Sequence, residues 1–129
     1  MAGYSARSLV EKLGLKPEMT TMFLHAPDEY FDALGIAVSL SDVSSYDFMH
    51  AFYTQKARLE KEAPILVRNL APKGMLWISW PKKSAYKILP SDITEQDLRD
   101  IFLPLDVVDI KVCAITDIWS GLKFTFRKH

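Results

Sequence analysis

The 129 residues carry 16 Lys and Arg against 16 Asp and Glu, and 49% of them are hydrophobic, which suits one globular domain spanning residues 1–129. A chain without net charge offers no field to draw in nucleic acid or an anionic membrane, and its single cysteine, Cys113, excludes both an intramolecular disulfide and a Cys-based zinc site. The first residues lack a basic segment followed by an apolar run, and no stretch approaches the roughly 18 apolar residues of a membrane span, so a soluble, cytoplasmic protein is expected.

In chain order, Ser5 or Ser8 caps a short helix from about Ala6 to Leu13, with Gly14 as its left-handed stop. Met19 to His25 is short, apolar and β-branched enough for a first core strand. Proline and acids in Ala26-Pro27-Asp28-Glu29 then open a helix that continues to Gly35. Ile36 to Leu40 suggests a short strand, followed by a loop through Ser41-Asp42-Val43-Ser44-Ser45.

Tyr46 to Tyr53 is apolar on both alternating faces after Asp47, the pattern of a strand covered by helices on each side. Gln55 to Leu70 reads as a helix that Pro64 should kink or divide, with the bend near Glu60. After the turn Ala71-Pro72-Lys73-Gly74, Met75 to Trp80 forms the third core strand. Thr94 and Asp97 form a capping box for a helix that Pro104 closes. Val107 to Ile115 and Leu122 to Arg127 are strands joined by a link too short for a parallel crossover, so the last must run antiparallel to its predecessor.

Strand-helix alternation ending in a hairpin gives an α/β fold: a three-layer, Rossmann-like sheet, mostly parallel, with an antiparallel C-terminal strand. From about Tyr46 to Arg127 this layout resembles class I S-adenosylmethionine-dependent methyltransferases. The whole chain also resembles a family of small bacterial proteins carrying a domain of unknown function, through Gly3-Tyr4-Ser5, Lys12-Leu13-Gly14, Leu76-Trp77-Ile78-Ser79-Trp80-Pro81-Lys82-Lys83, Val112-Cys113-Ala114 and Trp119-Ser120-Gly121-Leu122-Lys123. The second resemblance implies no activity. The first implies a cofactor turn with glycines after the first strand and an acid after the second, but the turn here is His25-Ala26-Pro27-Asp28. It holds no glycine, Pro27 removes an N–H donor, and Asp28 and Glu29 repel anions. Asp42, the candidate for the acidic role, reads as turn chemistry. No cofactor is therefore assigned.

Ligands of open α/β sheets bind at the carboxyl ends of the parallel strands. That rule gathers His25, Thr54, Ser79, Trp80, Lys82, Lys83, Trp119 and Ser120 as one candidate crevice for a small anionic or aromatic ligand, or for a protein partner. Against it stands a plainer reading, in which the two tryptophans cap the core and the lysines stay in solvent. His25 has no carboxylate at a diagnostic spacing, His50 lies mid-strand, and His129 is terminal, so neither a catalytic residue nor a metal site is expected. Cys113, between Val112 and Ala114 in an expected inner strand, reads as a buried thiol. Lys56, Arg58 and Lys61 alternate with Glu60 and Glu62, unlike a nucleic-acid footprint. The leading expectation is a non-catalytic or degenerate binding domain; the alternative is a small methyltransferase with an atypical cofactor site.

Overall fold

A computed structural model of the chain describes residues 8–36 and 43–128. Ser8 caps α1 (Leu9–Leu13), exchanging hydrogen bonds with Glu11, and Gly14 ends the helix at φ 78°. Ser5 and Ala6 lie outside the described residues, as do Ala37 to Leu40 of the expected short strand, Asp42 and His129. Strand β1 (Thr21–Leu24) is followed by α2 (Asp28–Leu34), with Pro27 as its N-cap. Strand β2 is Tyr46–Phe52. Helix α3 (Lys56–Arg68) continues through Pro64 and is not divided there.

Strand β3 is longer than its sequence suggests, spanning Leu70–Pro81. The supposed turn at Pro72-Lys73-Gly74 belongs to the strand, which pairs Leu70 with Tyr46, passes an irregularity, and resumes at Met75 opposite Phe48. Gly74 is required there because a Cβ would stand 2.7 Å from the carbonyl oxygen of Tyr46. A 3-10 turn at Lys83–Ala85 precedes α4 (Glu95–Phe102), whose Thr94/Asp97 capping box forms as the sequence indicates. Strands β4 (Val107–Ala114) and β5 (Trp119–Phe126) complete the molecule. Trp119, Ser120 and Gly121, expected in the link, open β5 instead.

The five strands are ordered β1-β2-β3-β5-β4. β1, β2 and β3 are parallel, and β5 runs antiparallel to both of its neighbours. Alternation along the inner strands divides the core in two. Met49, Ala51, Leu76, Ile78, Leu122 and Phe124 pack with Leu59 and Leu66 of α3 and Leu98 and Phe102 of α4. Phe48, Phe52 and Trp77 face Leu13 of α1 and Tyr30 and Leu34 of α2. This is the expected three-layer α/β arrangement, and it leaves β1 and β4 as edge strands among the described residues. Cys113 therefore sits on an edge strand, half-buried, and not on an inner one. No helix among the described residues is long and apolar enough to cross a membrane.

Candidate functional site

Three parallel strands end along one side of the sheet, at His25, Tyr53-Thr54 and Pro81, and β5 starts there because Trp119 pairs with Pro81. The eight sequence candidates reach this edge but do not form one crevice. Trp80 belongs to the α3/α4 side of the core and Trp119 to the α1/α2 side, and they are only 7% and 5% exposed. The sheet separates them. His25, Thr54 and Trp119 line a hollow of about 300 Å³ with Phe52, Tyr53 and Arg58. Trp80, Lys82, Lys83 and Ser120 line another, of about 490 Å³, with Tyr86 and the start of α4. Ser79 belongs to neither.

Three residues of the first hollow, His25, Tyr53 and Arg58, converge on Glu62, which lies outside its lining and which the sequence places among surface charges. Tyr53 donates its hydroxyl hydrogen bond to Glu62 Oε1 at 2.7 Å, and Arg58 Nε donates to Oε2 at 3.0 Å. His25 Nε2 donates to Oε1 at 3.1 Å, which makes its Nδ1 the acceptor for Arg58 Nη2 at 3.4 Å. Partial burial of Glu62 opposes ionisation, but the hydrogen bonds from Tyr53, His25 and Arg58 outweigh it and hold the carboxyl down to about 2. Burial, then Glu62, pushes the Tyr53 phenol up. The carboxylate missing beside His25 in the sequence is thus supplied by α3, of which only the i, i+4 spacing of Arg58 and Glu62 was a local signal. His25 itself adopts φ 58°, a left-handed conformation in which a side chain is strained.

In the second hollow the cations are differently placed. Lys82 and Lys83 follow directly on β3, and neither has a carboxylate within ion-pair distance among the described residues. Arg99, on the far wall, is already engaged by Glu95 and Asp109. Thr94 caps one amide of α4, that of Asp97, and Glu95 on the same lining is paired with Arg99, so among the described residues the unpaired charge of this hollow is that of the two lysines.

Beneath the edge lies a buried polar array. Ser79, expected on the rim, is fully buried because it faces inward from β3; its Oγ is 2.7 Å from His50 Nε2. His50 Nδ1 is 2.8 Å from the Tyr30 hydroxyl, and its ring stacks on Phe52 at 4.3 Å. Burial drives the imidazole down to about 3, so it is neutral, with one nitrogen donating and the other accepting. Both nitrogens are used, as befits a structural histidine. Close by, Trp119 packs edge-on against Phe52, and its buried Nε1–H has no hydrogen-bond partner among the described residues. No group of three His, Cys, Asp or Glu among the described residues is placed to hold a metal ion.

No protein-family model matches the sequence, and no curated protein matches it. Solved structures do. A SAM dependent methyltransferase from Aquifex aeolicus superposes with a TM-score of 0.58 at 15% identity, covering 90% of this chain and 86% of that one. A ribosomal protein L11 methylase from Lactobacillus delbrueckii subsp. bulgaricus gives 0.56 at 16% identity, over 93% and 75%. The magnesium protoporphyrin IX methyltransferase of Synechocystis PCC 6803, solved with bound SAH, gives 0.53 at 13% identity, over 67% of this chain but only 46% of its own. Identities this low speak to architecture. The chain has the Rossmann-like fold of class I SAM-dependent methyltransferases.

Proposed function

We propose that this chain is a binding domain built on a methyltransferase-like frame, taking a small ligand with an anionic group and a flat apolar face in the hollow at Trp80, Lys82 and Lys83. The observation that carries the reading is the pair of lysines with no ion-pair partner among the described residues, placed at the carboxyl end of β3 beside Trp80 and Tyr86. An ammonium neutralises an anion, and an aromatic wall receives an apolar face. Ser120, opposite Trp80 in the β3–β5 ladder, adds a hydroxyl.

The cofactor that the fold implies, S-adenosylmethionine, does not fit the residues after β1. Such a site needs backbone that a ligand can approach closely and free N–H groups at the following helix. Here the left-handed position holds His25, whose imidazole is tied to Glu62 and Arg58. Pro27 provides no N–H, and Asp28 and Glu29 occupy the first turn of α2. β1 is also the sheet edge among the described residues, so no strand beyond it walls the crevice. A second reading, a methyltransferase with an atypical cofactor site, draws its support from the solved structures of the same fold.

Thermal unfolding with S-adenosylmethionine, its demethylated product, nucleotides, acyl-coenzyme A and simple aromatic acids separates the two. The binding-domain reading expects stabilisation by an anionic aromatic compound, lost in Lys82→Met/Lys83→Met. Stabilisation by the methyl donor that persists in that double variant establishes the second reading and sinks the first.

A further inference from the structure

A separate group of cations lies on the α1 side of the sheet. Lys111 of β4 and Lys123 of β5 are direct cross-strand partners. Antiparallel sheets normally avoid like charges in that relation, because facing Cβ atoms are only about 5 Å apart. Helix α1 closes over the pair. Lys111 Nζ donates to the backbone carbonyl of Lys12 at 3.1 Å, and Lys123 Nζ lies 4.0 Å from where a Cβ on Gly14 would stand. Lys12, Lys111 and Lys123 are all partly buried, and none has a carboxylate within ion-pair distance among the described residues.

The crowding has electrostatic consequences. Burial, and then the charge of Lys111, pushes the Lys123 amine down. Cys113, two residues beyond Lys111, shares the field: burial pushes its thiol up while Lys111 and Lys12 pull the other way. The glutamate of α1 offers no relief, because Glu11 is turned to the Ser8 cap. Asp109, the acid preceding Lys111 by two positions, is engaged by Arg99 of α4 on the opposite face. Three partly buried lysines are thus gathered beside α1 without a carboxylate partner among the described residues.

We propose that the lysine cluster beside α1, centred on Lys111 and Lys123, binds a phosphate-type oxyanion, either free phosphate or the phosphate of a small monoester. A tetrahedral dianion supplies several acceptors to the amines of two neighbouring strands, and it removes the repulsion between Lys111 and Lys123. Partial enclosure and the overall balance of 16 positive and 16 negative residues favour a small ligand over a nucleic-acid backbone.

The test is thermal unfolding of the full chain, first in phosphate-free buffer and then with inorganic phosphate, with glycerol 3-phosphate, or with sodium chloride at equal ionic strength. Phosphate or the monoester should raise the melting temperature by roughly 5–10 °C at about 100 times its dissociation constant, beyond any chloride effect. Lys111→Met and Lys123→Met should each abolish that response while melting no lower than the parent without phosphate, because the like-charge contact is gone. Lys61→Met, at an exposed position of α3 across the sheet, should keep it. A response to glycerol 3-phosphate alone identifies a monoester as the ligand. Equal shifts in phosphate, monoester and chloride overturn the proposal, as does an undiminished response in both lysine variants, or stabilisation by duplex DNA but by neither phosphate compound. If Lys123→Met does not fold, Lys111→Met on the edge strand decides.

Discussion

The Glu62 cluster and the Lys111–Lys123 pair both gather charged side chains from different elements, and they treat charge in opposite ways. Around Glu62, His25, Tyr53 and Arg58 converge on one carboxylate that accepts from all three. Such a cluster holds β1, β2 and α3 together and leaves little of itself for a ligand. Lys111 and Lys123 face each other across two strands with no ion-pair partner among the described residues. An unbalanced charge costs stability unless something from solution completes it. Internal satisfaction marks construction; its absence marks a place to look for a ligand.

The fully satisfied extreme of this comparison is His50, and it gives the largest expected effect. His50→Ala opens a cavity and strands Tyr30 and Ser79, at a cost of about 3 kcal/mol by chemical denaturation; a cost below about 1 kcal/mol would mean that the array is dispensable. The same residue sets a pH dependence. Its folded value of about 3 lies below the unfolded 6.5, so the unfolded chain binds the extra proton between them. His50 therefore makes stability fall with decreasing pH by up to about 1.4 kcal/mol per unit across that window, and His50→Gln should flatten the slope.

Next comes Glu62→Ala, which leaves three donors without their acceptor and should cost about 2 kcal/mol. An unchanged denaturation midpoint would show that the cluster is held from elsewhere. The smallest change belongs to Lys82→Met/Lys83→Met, expected within about 0.5 kcal/mol of the parent because no ion pair is broken. A loss above about 1 kcal/mol would place those lysines with the structural group.

Most of the architecture was legible because local signals agreed. The expected Thr94/Asp97 capping box forms, Ser8 of the two expected serines caps α1, the doubly apolar Tyr46–Phe52 segment is a covered inner strand, and the short link does make an antiparallel hairpin. Misreadings arose where tertiary pairing overrode a local cue. Pro72 and Gly74 look like a turn but lie in β3, with Gly74 fitted against Tyr46, and Pro64 sits within an undivided helix. The site was less legible. Strand order brings most of its residues towards one edge, but the face of the sheet on which each falls decides their company. Ser79 points into the core, Trp80 and Trp119 lie on opposite sides, and Glu62 meets His25 across 37 residues of sequence. Lys111 and Lys123 look like ordinary exposed positions of alternating strands until their register is known.

The position of β5 carries a consequence for how the sheet is assembled. Although later in sequence than β4, it lies between β4 and β3 and supplies Leu122 and Phe124 to the core. During synthesis, β4 must wait for residues 119–126 to emerge before it can join the sheet, and until then the inner edge of β3 is unprotected. A chain interrupted within that segment would lose a central member and orphan β4, so the vulnerable intermediate is a three-stranded parallel sheet with its hairpin still unclosed.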